Sequence, residues 1–348
     1  MNISFWLTST TRFVTEDNWD NIPFGGAEIS AINLGTELAK LGHGIKFYLE
    51  RCEPFEKDNI SIRKHHQLFD DEHEYFICVR PHPMLQGDFG NIKKILWSGD
   101  AFDQSSNDVF YDKKIADSMD GFVFKSEWQK DKILEKYYTI DKNKCSVIYN
   151  GYNAEYFNNN GVIHNSKRFI HSSVWYRGLK NFIDIWPVII ESIPDAEIHV
   201  FSNTTLYHGI QEQGYYDIIK DLIGLPGMIL REPVPQKILA HEMKKSYLML
   251  YPNSGFVESS CGSALQSMAV GTPVVTTKRA GLIETVGESG ILIEQSEENW
   301  KNKFAKEVIS LYRDHKKWEE MVKTGLLKVS DQTWSHKAKV WEDYLKSL

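Results

Sequence analysis

Residues 251–293, YPNSGFVESSCGSALQSMAVGTPVVTTKRAGLIETVGESGILI, constrain the fold more than any other stretch. An apolar strand end runs into a serine-rich loop, then a helix over 262–270, a tight turn, a buried strand through GTPVV, a second helix start and a further strand. Such alternation is the winding of an α/β sheet, in which a crossover helix separates parallel strands. The loop lies directly before the helix, so unpaired backbone N–H groups of Ser259, Ser260, Cys261 and Gly262 and the positive end of the helix dipole face outward, which suits a phosphate. Glu258 opens the loop and Gln266 stands eight positions later on the helix, about two turns away, so two polar groups can flank one extended ligand.

The same alternation starts at the N-terminus. A strand at 3–7 leads through a polar loop to Phe24-Gly25-Gly26-Ala27-Glu28, an amphipathic helix over 29–41, the breaker Gly42-His43-Gly44 and a strand at 45–49. Gly25 and Gly26 can bring the backbone close to a ligand at the helix start, although two glycines alone read equally well as a turn. Strands follow at 75–79, 94–97, 121–124 and 146–148, with helices near 112–118 and 127–136. Asp100 comes just after the strand ending at Trp97, where open α/β sheets bind ligands; the alternative is a helix cap or turn carboxylate. His82, between Pro81 and Pro83, can reach similar space, but a loop histidine is more often structural or solvated.

At 348 residues the chain exceeds the size at which one hydrophobic core stops growing, so two domains are expected, 1–151 and 152–332. The boundary falls near Asn150-Gly151-Tyr152-Asn153, and Asn158 to Gly161 reads as an exposed turn. In the second half a strand at 168–171 and a loop lead into a helix with Phe182, Ile183, Trp186, Ile189 and Ile190 apolar. Arg177 and Lys180, three apart at that helix start, can both project toward a diphosphate. Strands at 197–202, 228–230 and 248–251 alternate with helices at 211–223 and from Gln236 to Lys245; helices at 300–312, 316–329 and about 335–346 close the chain.

Composition narrows the function classes. A net charge of −7 offers no general attraction to nucleic acid or anionic lipid, so neither is an expected partner beyond a peripheral membrane contact. The four cysteines are far apart and lack metal spacing, which reads as reduced thiols and a cytoplasmic location. The N-terminus has no basic leader, and its apolar run is too short for a signal or a span. No two aspartates stand two apart, so the Asp-x-Asp metal motif is absent and no metal ligands are expected. Phe24-Gly25-Gly26-Ala27-Glu28 lacks the Gly-x-Gly-x-x-Gly spacing of a nicotinamide-dependent oxidoreductase.

Taken as an ordered set, Glu258, Gln266, AVGTPVV, Gly281 and Glu284 resemble the donor-binding segment of the retaining glycosyltransferases of family 4. The resemblance extends through the first-loop glycine pair Gly25 and Gly26, the junction VIYNGYNAEYF and the Val-Pro loop at 234–235, and so covers nearly the whole chain. It implies the α/β GT-B fold: two Rossmann-like doubly wound domains facing a cleft, with a last helix at about 333–348 crossing back to the first domain. It also implies retaining, metal-independent transfer from a UDP-, GDP- or other nucleoside diphosphate sugar, a co-substrate rather than a cofactor, to a glycan, lipid-linked or small-molecule acceptor. The location implied is cytoplasmic, with the inner membrane face as a peripheral possibility.

By this resemblance Arg177 holds the leaving diphosphate, with Lys180 as substitute for a second cation whose usual place is filled by Ser173 or a neighbour. Glu258 bonds hydroxyls of the transferred sugar, Gln266 faces the nucleotide ribose, Asn203 contacts the nucleotide, and the loop at Pro235 lies along the base. Asp100 stands where relatives place a sugar-contacting histidine, while Trp6, Arg12, Phe13 and Trp19 suggest an acceptor wall. Family members carry Glu where this chain has Gln266. That difference, with the missing cation, keeps open a nucleotide-sugar-binding module of the same fold with weak or no catalysis.

Overall fold

The computed structural model describes residues 1–8, 12–87, 89–202, 213–296 and 298–348. It divides into two units, Met1–Gly151 with Gln332–Leu348, and Tyr152–Asp331. The first contains, in order, β1 (Asn2–Leu7), α1 (Gly26–Lys40), β2 (Gly44–Leu49), β3 (Phe55–Lys57), β4 (Ile60–Lys64), β5 (Tyr75–Val79), β6 (Lys93–Ser98), α2 (Lys113–Ser118), β7 (Gly121–Phe124), α3 (Glu127–Lys136) and β8 (Cys145–Val147). Its eight strands lie in the order β3-β4-β2-β1-β5-β6-β7-β8, parallel throughout except for β3 against β4. The β3–β4 hairpin goes beyond what the sequence pattern predicts: along β4 only Ile60 and Ile62 are buried, and Asp58 turns the chain at a φ of 49°.

Helix α1 begins at Gly26, three residues ahead of the predicted 29. Glu28 then falls in the first turn, where its carboxylate is favoured by the positive end of the helix dipole, and this supports the earlier start. Gly25, with an extended ψ of 164°, becomes the N-cap.

The second unit contains β9 (Asn165–Ser172), α4 (Phe182–Ser192), β10 (Glu197–Phe201), α5 (Gln213–Ile223), β11 (Met228–Arg231), α6 (Gln236–Lys244), β12 (Ser246–Tyr251), α7 (Gly262–Ala269), β13 (Val274–Thr277), α8 (Leu282–Val286), β14 (Ile291–Ile293), α9 (Trp300–Arg313) and α10 (His315–Val329). All six strands are parallel, in the order β11-β10-β9-β12-β13-β14. Numbered within the unit this is 3-2-1-4-5-6, the doubly wound nucleotide-binding order. The winding reverses between β9 and β12, and ligands bind beyond the carboxyl ends of the strands at that reversal.

Parallel strands covered on both faces read as continuous apolar runs, which is why β12, SYLMLY, is buried at every position. Phe169, Val200, Leu248, Leu250 and Val275 form the middle of this core, closed by Trp186 from α4 and by Phe304 and Val308 from α9. Each fully buried leucine contributes about 1.5–3 kcal/mol relative to an exposed one. The chain returns to the first unit as α11 (Trp334–Ser347), where Trp341 packs edge-on against Trp97 with ring centres 5.1 Å apart. Among the described residues no helix is long and apolar enough to cross a membrane.

Candidate active site

The loops after β9 and β12 meet at the reversal of the second sheet. Gly178 permits this approach: its φ of 103° is costly for other residues, and a Cβ there would run into the Pro252 carbonyl. Asn181 locks the contact by donating its amide to Pro252 O and to Ser254 Oγ, each at 2.7 Å. On the other side of the loop the Gly281 N–H donates to Glu258 O at 2.8 Å. A Cβ at Gly281 would collide with the Ser259 carbonyl, so the backbone around Glu258 is held from two directions.

These contacts bring Arg177 and Glu258 together. Arg177 donates through Nη1 to Glu258 Oε1 at 3.1 Å, and its guanidinium lies over the Phe256 ring at 4.2 Å. The Tyr251 hydroxyl donates to the same Oε1. Glu258 is 3% exposed, whereas the Arg177 side chain keeps 24% of its surface. Burial, then the neighbouring Glu258 charge, pushes the Tyr251 phenol well above its usual range, so it stays a donor. His171 stacks on Tyr251 at 5.7 Å and 20°, and its Nδ1–H donates to Leu250 O. Burial lowers the His171 pKa to about 4, so this imidazole is neutral.

The remaining predicted residues of the second unit lie on the neighbouring loops and helices. Ser173 Oγ lies 3.4 Å from the Tyr251 hydroxyl, behind Glu258, and Lys180 is exposed. Helix α7 has Cys261 as N-cap with no side-chain cap bond, and the position a Cβ would take at Gly262 opens on empty space. The predicted row of unpaired N–H groups is corrected at Cys261, whose N–H reaches Thr285 Oγ1 on α8 at 3.4 Å. Ser259 is buried and Ser260 half-buried. Burial first, then Glu258, pushes the Cys261 thiol up to about 12, which leaves it protonated and inert. Gln266 Nε2 donates to Gln236 Oε1 at 2.8 Å, and Pro235 caps the helix carrying Gln236. Asn203 lies outside the described residues.

In the first unit Gly25 and Gly26 stand at the start of α1. Asp100 is neither a helix cap nor solvated. It pairs with Arg80 Nε at 3.5 Å and accepts from Ser106 Oγ at 2.6 Å, while Gln129 donates to its carbonyl at 2.8 Å. Lys125 lies within electrostatic reach of Arg80, Asp100 and Glu28, with its ammonium 5.0 Å above the Trp97 ring. Burial, followed by the Arg80 charge, lowers the Lys125 pKa to about 8. Glu28, Arg80 and Lys125 were not among the predicted site residues. Their signal was placement, since Arg80 and Lys125 each directly follow a strand, after Val79 and Phe124. Among the described residues no group of three His, Cys, Asp or Glu side chains has the geometry to hold a metal ion.

Comparison with known proteins agrees with this architecture. The family profile described as "Glycosyl transferases group 1" matches residues 166–314, which spans β9 to the end of α9. A search of curated proteins gives no match. Among solved structures, the sucrose-phosphate synthase of Thermosynechococcus elongatus superposes with a TM-score of 0.77 at 14% identity, covering 99% of this chain and 98% of that one. The Anabaena protein Alr3699/HepE, in complex with UDP-glucose, superposes with a TM-score of 0.74 at 14% identity over 100% of both chains. WaaG, a glycosyltransferase involved in lipopolysaccharide biosynthesis, gives 0.72 at 12% identity over 99% of both. The chain has the GT-B fold, and residues 166–314 of its second unit match the group 1 glycosyl transferase family model.

Proposed function

We propose that the protein is a retaining, metal-independent glycosyltransferase that moves a sugar from a nucleoside diphosphate to a hydroxyl acceptor. The observation that carries this reading is the Arg177–Glu258 pair at the reversal of the second sheet, beside an uncapped helix start. Breaking the bond between the anomeric carbon and the phosphate oxygen leaves the electron pair on the diphosphate and positive character on the sugar ring. Groups that meet the developing negative charge lower that barrier. Arg177, the exposed Lys180 and the N–H groups at the start of α7 supply them, so the leaving group is neutralised by the chain itself.

Glu258 accepts from hydroxyls of the transferred sugar, and Gln266 faces the nucleotide ribose. The acceptor oxygen attacks from the face the phosphate leaves, and a phosphate oxygen takes its proton, which retains the anomeric configuration. The acceptor class is a glycan, a lipid-linked sugar or a small molecule, met on the cytoplasmic side. The UDP-glucose complex of the Anabaena protein makes a UDP-sugar the first donor to try.

The test is donor hydrolysis, or transfer to hydroxyl acceptors, with wild type, Arg177→Ala and Glu258→Ala. Both variants should lose most activity. Two variants as active as wild type would remove the site assignment, and tight nucleotide-sugar binding without turnover over a broad acceptor panel would make the protein a binding module instead.

A further inference from the structure

Both described donors to Glu258 converge on a single atom. The Tyr251 hydroxyl and Arg177 Nη1 each donate to Oε1, which fills the two acceptor sites of that oxygen. Among the described residues no donor reaches Oε2, and Oε2 is not among the sealed polar atoms that lack a partner, so the nearly buried carboxylate keeps this oxygen for a ligand. The carboxylate is therefore held by one oxygen and presents the other.

We propose that Tyr251 is the positioning residue of this site: with Arg177 it reserves Oε1, so that Oε2 is the oxygen that meets a hydroxyl of the donor sugar. This rests on the donor-site reading above and deepens it. Tyr251 is suited to the task because it is fully buried and cannot swing away. Its ring is stacked on neutral His171, which is in turn packed edge-on against Phe182 at 5.3 Å. A carboxylate only accepts, so the phenol must donate to it, and the Ser173 hydroxyl at 3.4 Å is left to donate to the phenol oxygen. Tyr251, at the last position of β12, thus carries the rigidity of the sheet to one atom of a loop residue.

The consequence is a division of labour. Nucleoside diphosphate binding draws on Arg177, Lys180 and the start of α7, while the added affinity contributed by the sugar draws on the direction of Oε2. Loosening Tyr251 should reduce the second and spare the first.

The experiment is calorimetric titration of wild type, Tyr251→Phe and Glu258→Gln with UDP-glucose and UDP, and with GDP-mannose and GDP. For the pair that wild type binds, Tyr251→Phe should weaken the nucleotide sugar about tenfold, the scale of one hydrogen bond to a charged group, and leave the free nucleotide within about twofold. In Glu258→Gln the amide oxygen stays with Tyr251 and Arg177, so an NH2 group takes the place of Oε2. The sugar increment should fall at least as far.

Tyr251→Phe with an unchanged sugar increment, or with equal losses for sugar nucleotide and free nucleotide, would overturn the proposal, as would wild-type sugar binding in Glu258→Gln. A wild type that binds none of the four ligands would remove the donor-site reading itself, a failure distinct from these.

Discussion

Both sheets gather charge near the carboxyl ends of parallel strands, and they bury it to different degrees. In the first unit Glu28, Arg80, Asp100 and Lys125 form a set of two acids and two bases in which Glu28 is 2% and Lys125 4% exposed. In the second, Glu258 is equally buried, but its partner Arg177 stays partly exposed, Lys180 is exposed, and a helix start adds further positive potential. Taking an ion out of water costs several kcal/mol, which neighbouring charges offset only with good geometry. The first set pairs Arg80 with Asp100 and keeps Glu28 and Lys125 almost wholly out of water; the second leaves cations at the surface. The same location in the two sheets therefore holds a largely buried charge set in one unit and a partly exposed one in the other.

The sharpest way to break this contrast is Arg177→Ala. If Arg177 meets the leaving diphosphate, turnover should fall about 10²–10³-fold, the scale of losing one preorganised charge-stabilising donor. Steady-state donor turnover measures it, and a loss below about threefold would limit Arg177 to its pairing with Glu258.

Lys125 gives the next effect, in stability rather than turnover. Its folded pKa of about 8 lies below the usual 10.5, so between those values the unfolded chain binds more protons and stability rises with pH. Buried tyrosines and cysteines oppose this in alkali, because their raised pKa values make stability fall. Comparison with Lys125→Met cancels those contributions. Wild type should gain up to about 3 kcal/mol relative to the variant from pH 8 to 10.5, read by urea unfolding. A flat difference would mean that Lys125 is not held in a desolvated site.

Gly281→Ala tests whether the loop geometry is what makes the second site. The added Cβ meets backbone, the Ser259 carbonyl, so the Glu258 segment must shift. A misplacement of this kind should lower turnover about tenfold or more, and because the atom met is backbone the melting temperature should fall as well. Equal activity would show that the approach of α8 to the loop is incidental.

The smallest expected effect is at Gln266. Its amide nitrogen is committed to Gln236, so it offers one neutral acceptor where a carboxylate would offer charged ones. Gln266→Glu should tighten nucleotide binding about fivefold if this position faces the ribose, and calorimetry with UDP or GDP would show it.

Much of this architecture was legible in the chain. Apolar runs such as SYLMLY and VVTT announced buried parallel strands, and the glycines and prolines between them marked the turns. The weak edges were less legible: the β3–β4 hairpin carries a mixed polar sequence and rests on a few apolar contacts. At the site, the spacing of Glu258 and Gln266 and the placement of Arg177 in a pre-helix loop were visible, but Tyr251 read only as the end of a strand. Nothing local to Tyr251 signals that its hydroxyl meets a carboxylate seven positions later.

What the sequence determined by itself is periodic and local: alternation of strand and helix, the parallel α/β class, and loops able to offer backbone N–H groups. What only the tertiary structure decided is which charges meet. Arg177 and Glu258 are 81 positions apart and are joined because β9 and β12 lie side by side at the reversal of the sheet. Glu28, Arg80, Asp100 and Lys125 are likewise gathered by the strand order together with the start of α1. Hydrophobic periodicity acts over a few residues and can be read along the chain. Coulomb energy depends on distance and burial, which exist only once the strands have been set side by side.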